Sequence, residues 1–293
     1  IIIPANSAVS GGFDVANSCM FSSSYLTRTI SDGSNTKSTY SSWIKRSGLS
    51  ATQYLFHTSE NGSNDFKILF NSGDVLRVLG VVSGSTVMEL TTNRVFRDPS
   101  AWMHILVVID TTQATASNRV KMYINGVQET SFSTATYPAE DYASLRLNND
   151  GDQRTIGTNY DGGGSAGSGS WNGMMAEVVW SDGQTLAPTD FGEYDEDSGI
   201  WKPKNVSGLT FGTNGFYVDF EDSSALGTDK SGNGNNFTAS NLSATNQATD
   251  TPTNNFATLN PLDNPYPGQK ATFSNGNLIG AGTETGFLAG AST

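Results

Sequence analysis

Short runs in which side chains alternate one by one between two environments recur from about residue 17 to residue 220, and they constrain the fold more than any other feature. Phe66, Ile68 and Phe70 alternate with Lys67 and Leu69. Val120, Met122 and Ile124 alternate with Lys121 and Tyr123, and Phe216, Val218 and Phe220 with Tyr217 and Asp219. Successive strand residues point to opposite faces, so each such run predicts a strand with one face in a core. The run Met103-His104-Ile105-Leu106-Val107-Val108-Ile109 is apolar in both phases. It is short and rich in β-branched residues, so it predicts a central strand covered on both sides, not a helix. Asn125-Gly126 lies between two alternating runs and accepts the positive φ angles of a tight hairpin. One helical turn is expected near residues 188–194, where Pro188 suits a first-turn position. Many strands joined by turns, without βαβ alternation, predict an all-β protein, an antiparallel two-sheet jelly-roll sandwich.

Composition agrees. Hydrophobic residues make up only 36% of the 293 positions and glycine occupies 32, a mixture suited to short strands and turns and poor for long helices. The alternating pattern stops after about residue 236, where Asn, Thr, Ala and Pro dominate. The expected division is a sandwich over residues 1–235, then an extended low-complexity arm over 236–293 or the start of a further β-rich domain. The glycine- and serine-rich stretch 161–170 reads as a flexible surface loop.

The formal charge of −12, with 16 Lys plus Arg, argues against nucleic acid and against an anionic membrane surface as partners. No stretch is long and apolar enough for membrane insertion. Cys19 is the single cysteine, so no intramolecular disulfide forms; it reads as a small buried apolar residue and fits folding in a reducing cytoplasm.

Three segments resemble the laminin-G-like branch of the concanavalin A-like lectin/glucanase superfamily. They are Ser38-Thr39-Tyr40-Ser41-Ser42-Trp43-Ile44-Lys45, then Trp102-Met103-His104 with Asp110 and residues 120–127, and then Trp171-Asn172-Gly173-Met174-Met175-Ala176-Glu177-Val178. The resemblance implies that these are paired central strands and a late strand crossing the core. Residues 215–220 followed by Asp229-Lys230-Ser231-Gly232-Asn233-Gly234-Asn235 are similar to a motif that usually opens such domains. Here they come late, so 216–220 is expected to fill the slot of the usual first strand and to close the sandwich. Residues 182–204 and 251–262 resemble proteins of tailed bacteriophages, many of them marine, that carry this sandwich. That implies a virion role, with folding in the bacterial host cytoplasm and display at the virion surface.

Candidate chemistry is sparse. Enzymes of this superfamily use carboxylates alternating along one strand. Glu193, Asp195 and Asp197 share that spacing but follow the expected helical turn and precede a glycine, so they read as a solvated loop. Asp219 and Glu221 alternate on the outward face of a strand and read as surface. His57 and His104 are far apart, no zinc spacing is present, and His104 reads as a structural strand residue. Asp229, Asn233 and Asn235 offer hard oxygens in a glycine-containing loop and form the candidate calcium site, against a plain turn as the alternative. Tyr160, Trp171 and Trp201 border loops and are the candidate sugar-binding aromatics.

The expected function is that of a non-catalytic phage virion protein, a fibre, spike or surface appendage whose sandwich binds host glycans or neighbouring virion subunits. The alternatives are a purely structural capsid or tail decoration and, third, a glycan hydrolase. The expected partners are other virion proteins and a host surface glycan, in a homo-oligomer such as a trimer.

Overall fold

The computed structural model of the chain describes residues 12–160, 169–259, 272–274, 276–277 and 279–281. Most of the loop at 161–170, and most of the chain after residue 259, therefore lie outside the described residues.

Two eight-stranded antiparallel sheets pack face to face. With strands numbered in chain order, the first sheet runs Val127–Glu129 (β10), Val120–Ile124 (β9), Met103–Asp110 (β8), Lys37–Arg46 (β3), Asn172–Asp182 (β13), Ser18–Ser22 (β1) and Gln247–Ala248 (β18). Phe216–Val218 (β16) also pairs with β13. The second sheet runs Phe132–Thr136 (β11), Ser85–Val95 (β7), Val75–Val82 (β6), Asn64–Phe70 (β5), Gln53–Asn61 (β4), Gln153–Ile156 (β12), Tyr25–Thr29 (β2) and Thr238–Ser240 (β17). A small hairpin, Gly192–Tyr194 (β14) with Trp201–Pro203 (β15), and a second one, Thr272–Ser274 (β19) with Ile279–Ala281 (β20), complete the described strands.

The alternating runs become these strands as expected. Phe66, Ile68 and Phe70 of β5, and Val120, Met122 and Ile124 of β9, all enter the core between the sheets. β8 lies between β9 and β3. Its Ile105, Val107 and Ile109 face the sandwich core, while Leu106 and Val108 join an outer cluster with Phe191, Val206 and Phe211. That outer cover explains why both phases of the strand are apolar. Asn125 and Gly126 both have positive φ (50° and 78°) and join β9 to β10. A Cβ on Gly126 would stand 2.6 Å from the Trp201 ring, so the close packing of β15 over this hairpin needs glycine as much as the turn does. The helical turn is a single 3-10 turn, Pro188–Asp190, and the chain then enters β14.

β13 organises the first sheet. One edge pairs with β3 along its length, with a bulge between Ala176 and Val179. The other edge pairs first with β1 (Met175 opposite Cys19) and then with β16 (Val178 opposite Val218). β16 thus completes the sheet, and Phe216, Val218, Phe220, Leu226 and Phe237 enter the main core.

The expected boundary at 235 falls inside the sandwich. β17 and β18 add to both sheets. Beyond them Asp250 is buried against β3, where Lys45 Nζ donates to Asp250 Oδ2 at 2.8 Å, to Asn255 Oδ1 and to the Phe256 carbonyl. Trp102 Nε1 donates to the other Asp250 oxygen at 2.8 Å. The segment lacks its own apolar period because it binds through hydrogen bonds and one ion pair that the sandwich completes.

The bulge carries Glu177 at φ 50°, and Phe220, just past β16, also has positive φ at 62°. Tyr217 Oη donates to Glu177 Oε2 at 2.7 Å. Burial, reinforced by the nearby charges of Asp219 and Glu221, pushes the Glu177 carboxyl up to about 8. Asp219, expected at the surface, is instead buried beside it and lies 3.8 Å from Lys230. The neutral acid is the form this site favours. Its stabilising contribution is complete below the ordinary carboxylate range and fades as pH rises through about 8.

Two outcomes follow. A chain ending at residue 208 loses β16 and five core side chains, and should elute as aggregate on size exclusion; a monodisperse, folded 1–208 fragment would overturn this account of closure. Glu177→Gln keeps an acceptor for Tyr217 and removes the titration. Its melting temperature should exceed that of the parent at pH 9 and approach it at pH 5, and a parallel pair of pH profiles would refute the assignment.

Candidate functional site

The outer face of the first sheet is covered. Trp43, Met174 and Ala176 pack under Val15 and Trp201, and Leu106 and Val179 pack under Phe191, Val206 and Phe211. Trp201 is buried. Its Nε1 donates to His104 Nδ1 at 3.3 Å, and its ring stacks on His104, which stacks in turn on Trp43. With Nδ1 accepting, His104 Nε2 carries the proton and donates to Ser41 Oγ at 2.8 Å. Burial lowers the imidazole to about 3, so it stays neutral.

Trp171 is fully buried in the sandwich core, stacked on Phe70. Trp171 and Trp201 therefore do not serve as sugar platforms. Both sit where strand alternation or a covering hairpin turns an indole inward, and a position beside a loop did not reveal that. Tyr160 differs: it is half-buried beside the second sheet, and its backbone N–H donates to His57 Nδ1 at 2.9 Å.

His57 leads to the best-formed polar site. Asp65 and Lys67 on β5, His57 on β4 and Arg77 on β6 occupy the strand phase opposite the core residues Phe66, Ile68, Phe56 and Val78. They stand on the outer face of the second sheet. With Nδ1 accepting from Tyr160, His57 donates from Nε2 toward Asp65 Oδ2 at 3.4 Å. Lys67 Nζ donates to the same oxygen at 2.7 Å. Asp65 Oδ1 is buried and has no hydrogen-bond partner among the described residues. The Tyr54 ring lies 5.7 Å from the His57 ring. Burial, then the Asp65 charge, raises the Tyr54 hydroxyl, while burial lowers His57 despite Asp65. One strand further, Arg77 Nε donates to Glu89 Oε1 at 2.9 Å, and Thr91 Oγ1 donates to the same oxygen. The face thus holds aromatic rings, a buried carboxylate oxygen and two compensated ion pairs in one row.

A groove of about 610 Å³ lies elsewhere. Leu226, Phe237, Leu242, Ser223, Ser243 and Ala244 are among its lining residues, and none of the lining residues is titratable.

Asp229, Asn233 and Asn235 do come together. Asp229 Oδ1 accepts from the N–H groups of Tyr217 and Ser231, and Oδ2 accepts from Ser231 Oγ and Asn235 N. Both asparagine amides donate into the carbonyls of residues 212–215. The loop is tied down by these bonds, with four donors already on the carboxylate. No group of three or more His, Cys, Asp and Glu among the described residues is placed to hold a metal ion. Glu193 and Asp195 lie in the exposed hairpin around Lys202. Ser198 and Lys202 hold the Asp195 carboxyl down to about 2, as in a solvated turn.

A family model described as the concanavalin A-like lectin/glucanases superfamily matches residues 22–189. The chain belongs to that superfamily. β16, β17 and β18 lie beyond the matched span yet complete both sheets. Among solved structures, a Bacteroides ovatus protein described as carbohydrate binding aligns at 14% identity and TM-score 0.52, covering 81% of this chain and 60% of its own. A native heptameric SAP-like pentraxin from Limulus polyphemus aligns at 17% identity and TM-score 0.44, covering 60% of this chain and 81% of its own. A Ruminococcus gnavus sialidase CBM40 bound to sialyllactose aligns at 11% identity and TM-score 0.39, covering 57% and 95%. At these identities the likeness is one of fold. No curated protein sequence matches the chain. No helix among the described residues is long and apolar enough to cross a membrane.

Asp229→Ala removes the acceptor for four donors and should cost roughly 3 kcal/mol of stability, read as a lower melting temperature. Chelator should leave the parent's melting temperature unchanged; a rise on adding calcium would restore an ion to this loop.

Proposed function

We propose that this lectin-fold chain is a non-catalytic glycan-binding module whose site is the open face of the second sheet, at the partly exposed Tyr54, Lys67, Arg77 and Tyr160, with His57 and Asp65 buried among them. The observation that carries this is the row of partly exposed polar groups whose charges are met inside the protein, Lys67 Nζ on Asp65 Oδ2 at 2.7 Å and Arg77 Nε on Glu89 Oε1 at 2.9 Å, with the half-buried Tyr54 ring beside it. Sugar hydroxyls donate and accept at once, so they match a row of donors and acceptors whose charges cancel, and an apolar ring face can lie against Tyr54. The likeness to the Bacteroides ovatus protein described as carbohydrate binding supports the same ligand class.

Binding in place of hydrolysis is supported by the carboxylates themselves. Asp65 and Glu89 are each committed to a cation, and Glu177, the acid raised to about 8, is buried under Tyr217. The resemblance of residues 182–204 and 251–262 to tailed-phage proteins supports placing the module at a virion surface, in a fibre, spike or appendage that folds in the host cytoplasm. There it works as a homo-oligomer among other virion proteins and engages a host surface glycan.

An array of bacterial surface glycans should show specific binding by the full chain. Tyr54→Ala should weaken it on the order of tenfold, about 1.4 kcal/mol. An array on which nothing binds would leave a purely structural virion part as the better reading.

A further inference from the structure

A second polar depression lies where β7 ends. It encloses about 200 Å³, and its lining includes Arg94, Phe96, Arg97, Trp102, Met103, Ile124 and Asn125. Every arginine among the described residues donates a side-chain hydrogen bond except Arg94. Arg94 also makes no ion pair among the described residues, although the chain carries a formal charge of −12. It is held in place by Phe96, whose ring centre lies 5.1 Å from its guanidinium carbon.

Arg97 lines the same depression. Its Nε bonds Asp74 Oδ2 at 3.0 Å, and its terminal nitrogens bond nothing among the described residues. Asp74 is already shared with the buried Arg46, at 3.0 Å, so one carboxylate serves two guanidiniums. Asp98 lines the depression itself, and its Oδ1 accepts from Ser100 N and Oγ. Counting Arg46, Arg94 and Arg97 against Asp74 and Asp98, the group keeps one uncompensated positive charge. Asn125 adds to it. Its Oδ1 accepts from His104 N, while its Nδ2 bonds nothing among the described residues.

The depression therefore offers two guanidiniums and an amide, all donors, over apolar walls. A ligand that satisfies them carries acceptors and negative charge on a compact body. We infer that this depression is a second saccharide subsite, specific for an acidic sugar whose carboxylate meets the Arg94 guanidinium. The planar guanidinium fork fits a carboxylate through two parallel hydrogen bonds, which a neutral hydroxyl does not provide. The subsite is separate from the open face, where every charge is paired within the protein, so acid preference and open-face binding are independent properties.

The test is titration calorimetry of the full chain with a uronic-acid oligosaccharide and with its carboxyl-reduced, neutral counterpart. The acidic form should bind at least tenfold more tightly. Arg94→Gln should abolish that preference while leaving the affinity for the neutral form unchanged, and Arg94→Lys should restore only part of it. Tyr54→Ala should weaken both forms alike and keep the preference. Equal binding of the two oligosaccharides, no binding of the acidic form, or a preference that survives Arg94→Gln overturns the inference. If the preference is lost in Tyr54→Ala and kept in Arg94→Gln, the acid is read on the open face; the subsite falls and the open-face reading stands.

Discussion

The structure depends on one strand being longer than its neighbours. β13 is eleven residues long, and it hosts β3 along one edge and two short partners in succession along the other. An edge can change partners only where the ladder is interrupted, and the bulge at Glu177 is that interruption. It turns a glutamate into a left-handed conformation and brings its carboxyl under Tyr217. It also lets a segment from residue 216 onward complete a sheet that began at residue 18. The core inherits its completeness from this arrangement, because Phe216, Val218 and Phe220 belong to it and come from the β16 segment.

The two sheets differ in what lies over their outer faces. The chain between β13 and β16 folds back over the first sheet, and residues 250–256 fasten across β3 through Asp250 and Lys45. On the second sheet the outward phase is polar: His57 and Asp65 are buried there, with Tyr160 against His57 and Gly169 against Tyr54, while Tyr54, Lys67 and Arg77 stay partly exposed. Its ion pairs are internal, which suits hydroxyl-bearing ligands. The donor-rich depression beside Arg94 is built on the opposite electrostatic plan.

Much of the fold was legible because alternation is a local property. The β5, β9 and β16 runs, the doubly apolar β8 and the Asn125-Gly126 hairpin all announce themselves within a few residues. The site was not legible for the same reason. Asp65, Lys67, His57 and Arg77 are the polar beats of ordinary strands, and only the register between strands lays them side by side. Tyr160 was singled out for lying beside a loop, which says nothing of the His57 ring that holds its backbone. Trp171 and Trp201 show the converse, since large aromatics near loops are as readily drawn into the nearest core. The boundary near 235 failed because Asp250 contributes through a buried ion pair, which leaves no periodic trace.

The first and last parts of the described sandwich meet. Val15 N donates to Thr253 Oγ1 at 3.0 Å, and that hydroxyl donates to Asp14, although 238 positions separate Val15 from Thr253. Mechanically, an early and a late segment of the body are joined at one point. A pull applied between Val15 and Thr253 is taken up there, by this small clasp and then by the Asp250 fastening. That load path does not run through the ladder from β4 to β7. The strands that carry Tyr54 and Asp65 therefore lie outside the line of tension and keep their shape while the clasp is strained.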